Sequence, residues 1–437
     1  MEQYHFIGIK GSGMASLACI FYDLGYEITG SDKPDYFFTQ KSLDERGVAY
    51  TTFDVANIKQ GQIIVRGTAF DDSNVEVMEA KRLGLPMYDY HEAVGLLTKK
   101  LHTVAICGCH GKTTTTKMME DVFSRFSDVN YLIGDGTGHG CKDSHDFILE
   151  ACEYKRHFLY YYPDYTILTN IELDHIDYYK DIEDVRSAYE AFANQTKLAV
   201  VACGDDEEVR KMKTTTPIYY YGLKEDNDIV ASNVVRSSEG TSFDCYIRGT
   251  LYGHFDLPIF GDHMLQNALG VIGVAYLKQF DVHEVEQAIL GFVPPKRRFV
   301  ETKIGDLVLI DDYAHHPTEV RVTIEGARHK YPEKTIVAIF EAHTSSRVKR
   351  FSQEFADALN LADYAYVAPI YNDRKDPDDT PDVTSNLIIS KLHHGDSITY
   401  DEPEKLLVYQ NAVLLFMSSK SLYKLKEKYE ALVSQHQ

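Results

Sequence analysis

The 437-residue sequence predicts an α/β protein of more than one domain, with mostly parallel sheets wrapped by helices. Three observations carry that reading. Short apolar runs alternate with amphipathic stretches along most of the chain, the pattern of strand–helix units that stack into parallel sheets. The length exceeds what one hydrophobic core ordinarily fills, so two to four domains are expected. Two breaks then divide the chain at the polar pair Lys99-Lys100 and at Pro294-Pro295, where neighbouring prolines interrupt both helix and sheet. The resulting segments are 1–98, 99–293 and 294–437.

In the first segment, residues 4–9 read as a strand, 14–24 as a helix and 27–30 as a second strand. A further strand at 62–66 precedes a helix at 75–83. In the second segment the apolar run 103–107 leads into a glycine-framed turn. Strands are expected at 146–149 and 165–169, and the alternation at 241–247 predicts an antiparallel addition. In the third segment 307–310, 335–340, 364–367 and 413–416 read as strands. A closing amphipathic helix is marked by Leu422, Leu425, Tyr429 and Leu432.

Hydrophobic residues make up 44% and charged residues 25%, as in water-soluble globular proteins. The first residues lack the basic and apolar regions of a secretory signal, and no run approaches the length of a membrane span. A cytoplasmic location without membrane insertion is expected. A net charge of −21 argues against nucleic acid as a partner, since that needs basic surface. The seven cysteines show no paired metal spacing and fit reduced thiols.

The most informative motif is Gly108-Cys109-His110-Gly111-Lys112-Thr113, directly after a strand. Glycines let backbone N–H groups wrap a polyphosphate, and a helix N-terminus favours its charge. Lys112 has the reach for β- and γ-phosphates, and the Thr113 hydroxyl suits Mg²⁺. This commits the chain to nucleoside-triphosphate chemistry. The first glycine lies three residues before Gly111, a shorter spacing than the common phosphate loop. Thr114, Thr115 and Thr116 read as the start of the following helix. Near the N-terminus, Gly8, Gly11, Ser12, Gly13 and Met14 form a second glycine turn between strand and helix, with Asp32 after the next strand. The element is of dinucleotide-binding type, but its G-x-x-G-x-G spacing is not that of nicotinamide enzymes.

A cation beside the cradle calls for a carboxylate, and Glu150 ends the strand at 146–149. The polar run 169–177 also ends a strand and contains His175, a less usual ligand for a hard cation. Later clusters are Gly261-Asp262-His263 with Asn267, Lys296-Arg297-Arg298-Phe299, and Asp311-Asp312-Tyr313-Ala314-His315-His316. In the last, the histidines read either as caps of the following helix or, with Asp311, as a transition-metal cluster.

In this order the motifs resemble the Mur ligases, ATP-dependent amide-forming enzymes of peptidoglycan synthesis. The residues that carry the resemblance are HFIGIKGSGM (5–14), FFTQ (37–40), GCHGKTTTT (108–116), YLIGDGTGHG (131–140), EACEYKRHF (150–158), TNIELDHIDYY (169–179), KRRF (296–299), DDYAHHPTEV (311–320) and His343 to Arg347. It is similar above all to the branch that adds L-alanine to UDP-N-acetylmuramate, in its low-GC Gram-positive form. The resemblance implies three domains: an N-terminal Rossmann-like domain for the UDP-sugar, a central P-loop ATPase-type domain and a C-terminal Rossmann-like domain. It places Gly108, Cys109, His110, Gly111, Lys112, Thr113 and Thr114 on ATP, with Asn267 at the adenine and Arg298 and Asp312 at phosphate and ribose. Gly8, Gly11, Ser12, Gly13, Met14 and Asp32 would take the UDP-sugar. Thr113, Glu150 and His175 would hold Mg²⁺, and Lys112, Glu150, His175, His315 and Arg347 would carry catalysis. The implied substrates are UDP-N-acetylmuramate, L-alanine and ATP, for a monomer or dimer.

The sequence departs from the family pattern at three places. Met264 stands where Asn often follows the histidine. Glu341-Ala342 replaces Gln-Pro before His343. Ser418-Ser419-Lys420-Ser421 replaces a Gly-Ala-Gly-Asp loop after the last strand. Loss of two glycines removes backbone freedom there and predicts a change at the amino-acid end. A related ligase with another amino acid or a peptide acceptor, or a nucleotide-binding homologue without turnover, are the alternatives.

Overall fold

The computed structural model describes residues 2–237, 239–372, 376 and 378–435. The chain forms two compact units. The first comprises Met1–Ser232, Asp244–Phe255 and Gln266–Phe292, and the second Asn233–Phe243, Asp256–Leu265 and Val293–Gln437.

The first unit opens with a five-stranded parallel sheet in the order Ala49–Thr51, Glu27–Ser31, Gln3–Ile7, Gln62–Arg66, Met87–Asp89. Tyr4 stands opposite both Ile28 and Ile63, so the first strand is central and its residues are buried from Tyr4 onwards. Helix Ser12–Asp23 buries Met14, Leu17, Ala18, Ile20 and Phe21 against it. Helix Val75–Leu83 runs over the expected residues, from an Asn74 cap to a left-handed Gly84.

Lys99-Lys100 form the last turn of helix Tyr90–Lys100, directly before the cradle strand. Basic side chains suit that end, where the helix dipole is negative. The next strand, His102–Cys107, is central to the second sheet. There Tyr165–Leu168 and Asp146–Glu150 flank it in parallel, and Ala199–Cys203 and Ile218–Gly222 extend the Tyr165–Leu168 side. Ile229–Ser237, Gly240–Ile247 and Thr250–Leu257 continue the sheet in sequence order. Their two-residue connections are those of antiparallel neighbours, as the alternation at 241–247 predicts.

The second unit carries a six-stranded sheet in the order Val300–Ile304, Leu307–Asp312, Ala412–Met417, Thr335–Phe340, Tyr364–Val367, Gly395–Ser397. All neighbours are parallel except the opening hairpin. Leu309, Val337, Ile339, Leu414 and Phe416 share one core with Leu422, Leu425 and Tyr429. The closing helix is Tyr423–Gln435, so Leu422 packs from just before it. No helix among the described residues is long and apolar enough to cross a membrane.

Candidate active site

The cradle joins strand His102–Cys107 to helix Lys112–Ser124. Gly108 has φ +133° and Gly111 φ +82°, conformations that residues with a Cβ rarely adopt. A Cβ on Gly108 would lie 2.0 Å from the Thr169 hydroxyl, and one on Gly111 would lie 2.8 Å from Asn267 Oδ1. Asn267 therefore sits at the cradle, as does the end of strand Tyr165–Leu168. The His110 N–H donates to Asn170 Oδ1 at 2.8 Å and the Cys109 N–H to the Asn170 carbonyl at 3.2 Å. His110 faces Glu172 at 3.4 Å. Gly111 caps the helix without a side chain, so no side-chain acceptor serves the first-turn N–H groups that an anion would engage. The Thr115 and Thr116 hydroxyls donate back to the Gly111 and Lys112 carbonyls, at 2.9 and 2.8 Å, as members of the helix. Thr113 and Thr114 are buried in its first turn.

Lys112 reaches the carbonyls of Gly108 and Cys109 and forms an ion pair with Glu153 at 3.0 Å. Glu153 is 2% exposed. Burial alone would raise its carboxyl, yet Lys112 and a hydrogen bond from His175 hold it below the usual range. Burial would lower Lys112, but Glu153 overrides this and raises it. His175 Nε2 lies 3.3 Å from Glu153, with a left-handed backbone at φ 51°. The sequence reading missed Glu153. Its signal was a second acid three residues beyond the strand-end Glu150, which periodicity does not distinguish from a solvated charge.

Glu150 instead accepts a hydrogen bond from the Gly134 N–H at 2.8 Å, and a Cβ on Gly134 would clash with its carboxylate at 2.2 Å. Among Thr113, Glu150 and His175, the oxygen donors suit a hard cation. The buried His175 Nδ1 has no hydrogen-bond partner. The oxygen donors Thr113 and Glu150 are of the type Mg²⁺ takes, whereas the His175 Nε2 is engaged by Glu153.

Gly8, Gly11, Ser12, Gly13, Met14 and Asp32 all line a cavity of about 500 Å³ in the first unit, with Phe37, Phe70, Tyr90 and His91. Gly8 is required there because a Cβ would lie 2.2 Å from Phe70. Asp32 accepts the N–H groups of Lys10 and Lys33, both at 2.7 Å. His91 stacks on His157 at 3.8 Å and bonds the Tyr161 hydroxyl at 2.7 Å. Burial, and then the neighbouring His157, lower its pKa to about 3, so it is neutral.

In the second unit, Arg298 and Asp312 line a cavity of about 290 Å³ with His263, Met264, Phe260 and Phe299. Asp312 accepts the N–H groups of Phe299 and Ala314, each at 2.8 Å. Burial raises its carboxyl to about 6, with Arg298 opposing. His315 is held by Glu319 at 3.0 Å and by the Tyr313 carbonyl at 3.1 Å. Arg347 is buried and donates to the His343 carbonyl at 3.4 Å. Among the described residues, Asp311, His315 and His316 do not gather as metal ligands. Asp311 pairs with Arg297 at 3.3 Å, and His316 caps helix Pro317–Lys330. A serine loop after the last strand needs no glycine freedom either, since none of Ser418 to Ser421 has a positive φ.

Family models match along the chain: the "Mur ligase family, catalytic domain" over residues 3–102, the "Mur ligase middle domain" over 106–275, and the "Mur ligase, glutamate ligase domain" over 297–419. A curated UDP-N-acetylmuramate–L-alanine ligase from Lacticaseibacillus casei is 43% identical over 99% of both chains. The chain belongs to the Mur ligase family. A ligase of the same name from Lactiplantibacillus plantarum is also 43% identical, over 98% of each chain. The crystal structure of UDP-N-acetylmuramate-alanine ligase MurC from Thermotoga maritima covers the whole of both chains with a TM-score of 0.78 at 24% identity, a likeness of fold. The three sheets are those of the three-domain Mur ligase fold, and ATP-dependent ligation is the family's chemistry.

Proposed function

We propose that this chain joins L-alanine to the lactyl carboxylate of UDP-N-acetylmuramate, with ATP converted to ADP and phosphate. The observation that carries this is identity of 43% over 99% of the chain to a curated ligase of that name. Segments 1–98, 99–293 and 294–437 would serve the UDP-sugar, ATP and the amino-acid end in turn.

In this reading, the first-turn N–H groups after Gly111 bind the phosphates of ATP, and Lys112 exchanges Glu153 for the β- and γ-oxygens. Glu153 keeps the lysine charged and returns it to one place, which supports the preorganisation that phosphoryl transfer needs. Thr113, Glu150 and His175 would hold Mg²⁺, which offsets negative charge on the phosphate oxygens when bound. The carboxylate of the sugar attacks the γ-phosphorus, and the amine of alanine then displaces phosphate from the acyl phosphate through a tetrahedral intermediate. His315 and Arg347 are assigned to that second step, Asn267 to the adenine, and Arg298 and Asp312 to phosphate and ribose. A cytoplasmic location is proposed because both nucleotide substrates are cytoplasmic metabolites.

The test is ATP-dependent phosphate release with UDP-N-acetylmuramate and L-alanine, glycine or L-serine. Release with L-alanine alone is expected. Release that requires a peptide, or silence with every amino acid, would overturn the assignment.

A further inference from the structure

Two departures from the family pattern meet in the second unit. Glu341, 1% exposed, follows strand Thr335–Phe340, and Ser418 follows the neighbouring strand Ala412–Met417. The Glu341 carboxylate accepts from the Ser418 hydroxyl and from the Ser421 N–H at 2.9 Å through one oxygen. Its other oxygen accepts from the Tyr400 hydroxyl and from the Ser421 hydroxyl at 3.5 Å. Four donors converge on one acceptor-only group, which a carboxylate satisfies without a donor of its own. The main chain ties the same place, from the Glu341 N–H to the Met417 carbonyl at 3.1 Å and from the Ser418 N–H to the Asp312 carbonyl at 3.0 Å.

In open α/β sheets ligands bind beyond the carboxyl ends of the strands. Glu341 lies at that edge. The segment it begins runs through His343 and Thr344, a non-glycine residue at φ 71°, into the helix that carries the buried Arg347. The loop it grips carries Lys420 and Ser419, whose buried hydroxyl has no hydrogen-bond partner. Lys420 and the unpartnered Ser419 hydroxyl on one loop, which a single carboxylate joins to the segment leading to Arg347, suit a small zwitterion with a carboxylate of its own.

We infer that Glu341 is a positioning residue that locks the segments 341–347 and 418–421 together and so shapes the amino-acid end of the site. The serine loop and the acid form one device, in which hydroxyl and N–H donors on the carboxylate hold the loop in place. The inference rests on the proposed ligase reading for its substrate but not for its hydrogen bonds.

The experiment measures KM for L-alanine, ATP and UDP-N-acetylmuramate, and kcat, in Glu341→Ala, Glu341→Gln and Tyr400→Phe. Glu341→Ala is expected to raise KM for L-alanine at least tenfold, with the other two KM values within twofold. Glu341→Gln keeps one acceptor oxygen for Ser418 and Ser421, and Tyr400 and Ser421 hydroxyls accept from its amide, so it is expected within threefold of the parent. Equal changes in all three KM values, or an unchanged KM for L-alanine, would overturn the inference. If Glu341→Ala does not fold, Tyr400→Phe decides, with a threefold or larger rise confined to L-alanine expected. Amide hydrogen exchange at Ser421 gives a readout free of turnover. Faster exchange in Tyr400→Phe supports the lock, and unchanged exchange sinks it. A parent enzyme that ignores L-alanine yet shows the exchange effect would defeat the ligase reading alone.

Discussion

Lys112 and Glu153 are each tolerable in the cradle because the other is there. Glu153 is buried and Lys112 largely so, and an unpaired buried charge costs several kcal/mol, so removing one partner is worse than removing both. Lys112→Ala is expected to abolish ATP-dependent turnover, by at least a hundredfold, and to destabilise by about 3 kcal/mol. Adding Glu153→Gln to it should restore much of the stability and none of the activity, measured by urea unfolding beside phosphate release. The pair also predicts acid sensitivity. The Glu153 carboxyl is held below the usual range, so its contribution is complete above the unfolded value and is lost as pH falls through the folded one. Asp312 has the opposite sign. With its carboxyl raised to about 6, the folded state favours the protonated form, and stability falls as pH rises from about 4 through 6, by roughly 3 kcal/mol. Asp312→Asn should flatten that slope in denaturation curves taken across the interval. A slope that persists in the variant would assign it to another group.

Among elements, helix Tyr90–Lys100 is the one whose placement the site depends on. It brings Tyr90 and His91 to the N-terminal cavity and packs on residues 154–160, just beyond Glu150 and Glu153. Gly95 permits that approach, since a Cβ there would lie 2.4 Å from the Tyr160 carbonyl oxygen. Gly95→Ala is expected to destabilise the first unit by about 1–3 kcal/mol, visible as a lower denaturant midpoint. An unchanged midpoint would mean that the helix can shift freely. At this scale much was legible. Strand and helix positions follow from apolar periodicity to within one or two residues, and Gln62–Arg66, Val75–Leu83, Thr335–Phe340 and Tyr364–Val367 coincide with expectation. Lys99-Lys100 close helix Tyr90–Lys100 directly before strand His102–Cys107, where a basic pair also suits the helix dipole.

For the whole molecule, a net charge of −21 would leave the anionic substrates of the proposed reaction to local devices such as helix N-termini, Lys112 and Arg298. No shift of duplex DNA in a gel assay is expected at 0.15 M salt, and a clear shift would contradict that reading. The seven thiols are free, in keeping with the unpaired cysteine spacing. The sequence by itself determined the sheet class, the phosphate cradle and the family, because these depend on periodicity and on residues adjacent in the chain. It also grouped the six residues from Gly8 to Asp32 that line one cavity. Only the tertiary structure decided that Glu153 faces Lys112, that His91 stacks on His157, and that Glu341 holds Ser418 and Ser421. Those partners lie between 41 and 80 residues apart or on separate loops. Their meeting follows from which strand ends become neighbours in a parallel sheet, where every crossover returns the chain to the same edge.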